Sequence, residues 1–458
     1  MQSRQHNKSD KMKKIYLVLG LVGVVIFTNL LLTTTGCSSK PSATETITNK
    51  FAIIPSVFGP LTQKQADLFS WQSFIAVNWP ADPATCGPDT SNGSSILNST
   101  GPVVWETYLS SEDVFVTSPS TPDGWCSNGN SRNTFKKLPA KVQALAQKTG
   151  IYRFLHRNSK APHGLDQAVG GPLVDQNGRF ARYEVRMNHD EYNYIIAKQL
   201  WDTAGQNHFV QDSIITMPSG VTTYGSVGAM EFKAAWKVLG QGDDSTRFYT
   251  IRAIVYNDDE GDPSPGPNPV TLGLVGLHIA HKVPTQNNWV WSTFEQVDNL
   301  TKSFSNPACA TCPPNVPLAG NDPKELDANG NPLNQPTQVT RVNPVNDPFA
   351  DTLNQQFQAM LQGSVWANYQ LISTQWLQDE DMTPLYLANS VQETYVQGPN
   401  PPSYGGFPLI IDQPYYADTL YHPFAPGISS SCMGCHYVAT IPGSKAKADF
   451  SFMLGEAH

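Results

Sequence analysis

Five residues near the C-terminus, Cys432-Met433-Gly434-Cys435-His436, constrain this chain more than any other stretch of its sequence. Two thiols separated by two residues can form thioether bonds to both vinyl groups of one porphyrin, and the histidine that follows can bind the iron. This is the attachment motif of a c-type haem. We therefore expect one covalently attached haem c, with His436 as the proximal iron ligand. The same five residues would also occur if the two cysteines formed a disulfide, or half of a zinc site, beside an incidental histidine.

The N-terminus has the pattern of an export signal. Five basic residues come first, and an uncharged stretch from Ile15 to Leu32 precedes Gly36-Cys37. Gly-Cys after an apolar run resembles a bacterial lipoprotein cleavage site, with Cys37 as the lipidated residue, although Thr34 stands where such sites usually carry Leu. The apolar stretch is also long enough to stay as a membrane-spanning helix. Secretion without an anchor is a third interpretation. All three place the body outside the cytoplasm, facing the periplasm, because the basic residues stay inside.

The charge of the exported part is mildly acidic. Without residues 1–36 the chain keeps 25 Lys/Arg and 37 Asp/Glu, which gives a formal net charge of −12. This balance argues against a nucleic acid as partner, because nucleic-acid binding requires a basic surface. An acidic surface suits a basic redox partner, but solubility explains it equally well.

The remaining cysteines suit an oxidising compartment. Cys86 and Cys126 lie in segments rich in Ser, Asn, Gly and Pro, and we predict a disulfide between them. Cys309 and Cys312 form a second C-x-x-C, but Pro313 follows where a c-type haem needs histidine. We predict a small-loop disulfide there, with a redox-active dithiol or a metal site as the alternatives.

The hydrophobic pattern predicts an α+β fold with a central, mostly antiparallel sheet flanked by helices. Helices are expected from Thr62 to Pro80, over Ala140–Gln147, from Asp347-Pro348 onward and over Leu385–Val396. Strands are expected over Phe180–Met187, Met230–Val238, Tyr249–Val255 and Leu272–Val283, the second of them half-buried. We divide the chain into a signal or anchor (1–36), a tether (37–54), an α+β body (55–400) and a short haem-binding segment (401–458).

Four stretches of the body resemble one protein family. They are Phe69-Ser70-Trp71-Gln72, the segment 182–194, Gly276-Leu277-His278-Ile279-Ala280-His281-Lys282 and Trp289-Val290-Trp291-Ser292-Thr293-Phe294-Glu295-Gln296. Together with the C-terminal motif they resemble a group of poorly characterised bacterial cytochrome-c-family lipoproteins, over a span from about residue 55 to the end. The resemblance implies export and haem binding, and implies nothing about a substrate.

The sixth iron ligand decides between two kinds of chemistry, since a second strong ligand suits electron transfer and an open position admits a small molecule. Met453 is our first candidate, because it lies 17 residues after His436 in a Phe-rich stretch. His422, His278 and His281 are alternatives, as are water and an open site. His278 and His281 are three apart on a predicted strand, so they should face opposite sides of the sheet.

Basic side chains in the predicted sheet offer partners for the haem propionates. Arg182, Arg186 and Lys233 are the candidates, although cross-strand pairing with Glu184 and Glu231 explains all three without a haem.

These observations favour an exported, membrane-tethered monohaem c-type cytochrome, whose partners are periplasmic or membrane redox proteins. The body is larger than electron transfer alone requires. Two alternatives therefore stay open, a haem-containing oxidoreductase whose body binds a small-molecule substrate and a haem subunit of a membrane redox complex.

Overall fold

A computed structural model describes most of the body. The described residues are 47–56, 62–98, 101–116, 122, 125–126, 132–156, 171–221, 226–257, 262–263, 269–285, 289–307, 309, 311–316, 334–342, 348–376, 387–397, 432, 436 and 439–458. The expected signal or anchor with Cys37, and also Cys435 and His422, lie outside them. No helix among the described residues is long and apolar enough to cross a membrane.

The described strands form one curled, mixed sheet. Its strands are β1 (Leu109–Ser110), β2 (Phe154–His156), β3 (Arg182–Met187), β4 (Met230–Val238), β5 (Thr250–Asn257), β6 (Asp262–Pro263), β7 (Val270–Lys282), β8 (Trp289–Gln296) and β9 (Tyr369–Gln375). The main path runs β1-β3-β4-β7-β5-β2, with β6 beside β5 and with β8 between β7 and β9. All pairs are antiparallel except β2 with β5.

Strand β7 is the centre of this sheet. One of its edges pairs with β4 over residues 272–281. The other edge pairs first with β5, over 270–273, and then with β8, over 276–282. This second edge of β7 is therefore shared by two strands, β5 in its first part and β8 in its second. Strand β9 pairs with β8 and extends the sheet from there. With the helices around it, this is the α+β class that the hydrophobic pattern predicted.

The described helices are mostly short. They are α1 (Gln63–Val77), α2 (Ser111–Val114), α3 (Arg132–Lys137), α4 (Ala140–Thr149), α5 (His189–Ala197), α6 (Thr203–Phe209) and α7 (Pro348–Met360). The start of α1 is set as expected. Thr62 accepts a hydrogen bond from the backbone of Gln65, and the Gln65 side chain accepts one from the backbone of Thr62.

Helices α1 and α7 cover the apolar face of the sheet. The Trp71 ring stacks on Phe357 of α7 at 5.0 Å, and Phe74 stacks on Phe294 of β8 at 4.3 Å. The Trp71 indole also donates a hydrogen bond to Asn354 Oδ1 at 3.0 Å, so its one polar atom is satisfied inside the core.

The opposite face of the sheet is polar, and it is buried as well. On β4, Glu231 is 8% exposed and Lys237 is fully buried, beside the apolar Phe232 and Trp236. The prediction of a half-buried β4 was therefore wrong. The alternation of side chains is correct, but residues from other parts of the chain, among them Glu191 and Asp243, cover the polar side too.

The helix predicted over Leu385–Val396 is also wrong. The described residues 387–397 form turns. Side chains take the backbone N–H groups that a helix would use, since Ala388 and Asn389 donate to Glu393 Oε2, and Val391 and Gln392 donate to Asn389 Oδ1. Such local side-chain acceptors compete with the helical hydrogen-bond pattern.

This 387–397 segment lies on the polar face of the sheet. A Cβ atom added at Gly276 of β7 would stand 2.7 Å from Val391 Cγ2, so the glycine permits the close approach. Glu295 of β8 holds the segment by accepting from the backbone and hydroxyl of Ser390, and Arg341 bridges Glu295 and the Ala388 carbonyl.

Two cysteine pairs lie at bonding distance. The sulfur atoms of Cys86 and Cys126 are 1.99 Å apart, and those of Cys309 and Cys312 are 2.16 Å apart. These are the two pairings that the sequence predicted.

Candidate functional site

Two neighbouring rows of side chains define the polar face across four strands. Residues paired directly across neighbouring strands share one face of a sheet. The first row is Lys233, His278, Thr293 and Ser373, and the second is Glu231, Ala280, Trp291 and Gln375. The second row contacts both described residues of the C-x-x-C-H motif.

Cys432 docks against the end of the second row. Its backbone N–H donates to Gln375 Oε1 of β9 at 2.9 Å, and the residue is 7% exposed. It belongs to an apolar cluster with Trp291, Phe450 and Met453. The N-terminal cysteine of the motif is therefore held on the sheet face itself.

His436 is held by the C-terminal segment. Its Nδ1 lies 2.8 Å from the carbonyl oxygen of Phe450, and since a carbonyl only accepts, Nδ1 must carry the proton. Its ring lies 5.8 Å from the Trp291 ring and 5.0 Å from the Phe452 ring. Burial lowers the pKa of His436 to about 4, with repulsion from Lys233 acting in the same direction and the Phe450 carbonyl opposing it. The imidazole is thus neutral, with the lone pair on Nε2.

This arrangement fits a c-type haem. A neutral imidazole that donates Nδ1–H to a backbone carbonyl presents Nε2 in a fixed orientation, which is how metal-binding histidines are usually set. Cys432 and His436 stand four residues apart in the sequence, and the backbone of each is helical.

Met453 begins a short 3₁₀ helix, Met453–Glu456, and is 2% exposed. It packs in the same apolar cluster as Cys432 and Phe450. Its place beside the motif agrees with either a distal ligand or a side chain that only fills volume, so its role as iron ligand stays a prediction.

His278 and His281 point to opposite faces of β7, as the strand period predicted. His281 Nε2 lies 2.7 Å from the Val227 carbonyl, and its ring stacks on Phe69 at 5.7 Å, on the side of α1. His278 is half-buried on the polar face, with Nε2 at 3.4 Å from Glu393 Oε1. Burial, followed by repulsion from Lys233, lowers the pKa of His278 well below its ordinary value.

Arg186 and Lys233, two of the basic residues proposed as partners for haem propionates, have different surroundings in the structure. Arg186 donates to Glu184 on its own strand at 3.1 Å and to the carbonyls of Glu106 and Tyr108, so other groups already occupy it. Lys233 lies on the polar face, where it acts on His278, His436 and Glu393, and its ammonium lies 5.6 Å from the Tyr183 ring centre.

Several residues of the site were not predicted from the sequence. Gln375 lies 57 residues from Cys432, and Glu393 lies 115 residues from His278, so no local pattern marks either of them. Phe450 acts through its backbone carbonyl, which any residue carries. Only the Phe-rich stretch around Phe450 carried a signal, because it drew attention to Met453.

Comparison with known proteins adds no assignment: no protein-family model, curated protein or solved structure matches the chain.

Proposed function

We propose that the protein is an exported, membrane-tethered monohaem c-type cytochrome that passes single electrons to and from periplasmic or membrane redox partners. Bound haem c would supply one-electron chemistry by cycling between ferric and ferrous iron. Cys432 and Cys435 would hold its vinyl groups and His436 would bind the iron. Cys37 would carry the lipid if the N-terminal signal is cleaved as in a lipoprotein.

The orientation of His436 is the observation that carries the proposal. A histidine with its Nδ1–H fixed on the Phe450 carbonyl presents Nε2 to an incoming metal, and it does so directly after a C-x-x-C whose first cysteine is anchored on Gln375. An incidental histidine beside a disulfide would need neither contact.

The surrounding residues would position the haem in distinct ways. Trp291 and Phe452 flank His436 and limit rotation of its ring. Lys233 brings positive charge to the same face and is our candidate partner for a haem propionate. Phe452 is 45% exposed beside the proximal histidine, so solvent and a redox partner reach this side of the site.

A second candidate function rests on His278 and Glu393. Their side chains meet at 3.4 Å on the face that holds His436, and burial raises the pKa of Glu393 to about 7. A carboxyl group that takes up and releases a proton near neutral pH, beside a neutral histidine, could serve acid–base chemistry at an open iron position. The protein would then be a haem-dependent oxidoreductase that acts on a small molecule.

Haem staining and absorption spectra of the mature chain test both candidates. Expressed with a c-type maturation system, the wild type should carry one covalent haem, and Cys432→Ser with Cys435→Ser should carry none. The matched control is Cys309→Ser with Cys312→Ser, which removes the other C-x-x-C and should keep the haem. A wild-type protein without covalent haem would refute both functions. A reduced spectrum unchanged by carbon monoxide supports the electron carrier, and a shifted one supports the oxidoreductase.

A further inference from the structure

A pair of buried carboxyl groups lies beside the haem segment. Glu191 stands in the first turn of α5, where its backbone N–H binds Asn188 Oδ1 and its side chain turns inward. Glu191 is fully buried. Glu231, on β4, is 8% exposed and lies next to it. Within the described part of the chain, neither carboxyl oxygen of Glu191 meets a hydrogen-bond donor, and Glu231 Oε1 meets none either.

The charged side chains around Glu191 and Glu231 do not compensate a negative charge on either of them. Asp449 acts on both glutamates and Glu456 acts on Glu231, and both are acidic. The ammonium group of Lys282, from β7, contacts Asp449 rather than the pair. Two carboxylates that share a buried site cannot both ionise near neutral pH, so one proton stays between them.

The buried site raises the pKa of both glutamates. Burial raises the pKa of Glu231 to about 7, against the opposing effect of the Ser451 hydroxyl beside it. Burial, with the Glu231 carboxylate second, raises the pKa of Glu191 well above its ordinary value. The Tyr194 hydroxyl, also on α5, faces Asp449 and accepts a hydrogen bond from the Thr216 backbone at 3.0 Å.

The pair is tied to the proximal histidine by one short stretch of backbone. Asp449 and Ser451 face the carboxyl pair, and Phe450 between them accepts the hydrogen bond of His436. The sheet register gives a second link, because Glu231 and Trp291 lie in one row with Ala280 between them. Two strand spacings put their backbones roughly 10 Å apart. The Trp291 ring in turn lies 5.8 Å from the His436 ring, so this row connects the pair to the proposed iron ligand.

We propose that Glu191 and Glu231 form a redox-linked protonation site, which takes up one proton when the haem accepts one electron. This inference rests on the proposed function. In the oxidised protein the pair holds one proton and one negative charge. A one-electron reductant, the redox partner, would convert the iron of a bound haem from ferric to ferrous. The pair then binds a second proton, which solvent supplies. The added electron and the added proton cancel, so the net charge of haem plus pair does not change.

The midpoint potential of the haem-loaded full chain, measured against pH, tests the proposal. In the wild type the potential should fall as pH rises through about 7, because deprotonation of the pair favours the ferric state. Glu231→Gln and Glu191→Gln should each flatten this slope. Asp351→Asn is the control. It replaces an exposed acid on α7, which packs on the other face of the sheet, and it should keep the slope.

A second measurement needs no variant, and so does not depend on how well a Gln protein folds. Reduction of the wild type in weakly buffered solution near pH 7 should take up protons, detected with an indicator dye. A haem protein whose potential does not depend on pH, or a slope that survives both Gln replacements, would overturn the proposal and leave the cytochrome assignment standing. A chain without covalent haem would overturn both, and haem staining identifies that case separately.

Discussion

Replacing Glu295 by Gln should destabilise the 387–397 segment, which lies on the polar face of the sheet. Glu295 is fully buried and accepts from Arg341 Nη1 at 3.2 Å, from Arg341 Nη2 at 2.8 Å, and from the backbone and hydroxyl of Ser390. Gln keeps the shape of the side chain but removes the charge that compensates Arg341, whose side chain is only 12% exposed. Removing one partner of a buried ion pair costs about 3–5 kcal/mol.

Urea unfolding followed by tryptophan fluorescence measures this loss in the free energy of unfolding. The double variant Glu295→Gln with Arg341→Leu should recover part of the loss, because it removes the charge left uncompensated. The matched control is Arg247→Gln, which breaks the half-exposed pair with Asp298 and should cost about 0–1 kcal/mol. If Glu295→Gln cost no more than this control, our reasoning that a buried ion pair anchors the 387–397 segment would be wrong.

Three further expectations concern the body. Trp71→Ala should lower the free energy of unfolding by about 3–5 kcal/mol, because it removes the ring that stacks on Phe357. Calorimetry or urea unfolding measures this loss. A loss under about 1 kcal/mol would contradict our description of the contact between α1 and α7. Glu393 has its folded pKa raised from 4.5 to about 7, so the folded state binds more protons and stability should fall as pH rises through this window, by up to about 3 kcal/mol. Glu393→Gln should flatten that part of the stability curve, and an unchanged curve would assign the slope to another group. Joint replacement of Cys86 and Cys126 by Ser should lower the free energy of unfolding by about 2–4 kcal/mol, because the disulfide joins residues 40 apart. Equal denaturation midpoints for variant and wild type under non-reducing conditions would show that the disulfide does not stabilise the fold.

The sequence predicted the elements whose signals are local. The Thr62 and Gln65 pair marked the start of α1 because a capping box is made by residues three apart. Strand β7 was predicted within two residues, since its long apolar run has few other solutions. The opposite orientations of His278 and His281 followed from the strand period alone.

Long-range contacts decided what the sequence could not predict. The stretch around Asn389 reads as a helix, yet Glu295, almost a hundred residues away, supplies one of the acceptors that hold it in turns. The burial of Glu231 could not be foreseen either. Its alternating strand looks half-exposed until Ser451 and Glu191 are placed against it. Likewise, Cys432 and His436 were evident, but their partners Gln375 and Phe450 belong to other parts of the fold.

The C-terminal stretch bonds to parts of the chain that are made much earlier. The His458 carbonyl accepts from Thr203, 255 positions away, and the Leu454 carbonyl accepts from Gln206, 248 positions away. Contacts between such distant positions form late, because a long loop must close first. Until they form, we expect the carboxyl pair and the row that ends at Gln375 to remain exposed to solvent. If the protein carries the proposed haem, an attachment enzyme would have to reach the thiol of Cys432 in this interval, which would end when residues 439–458 dock.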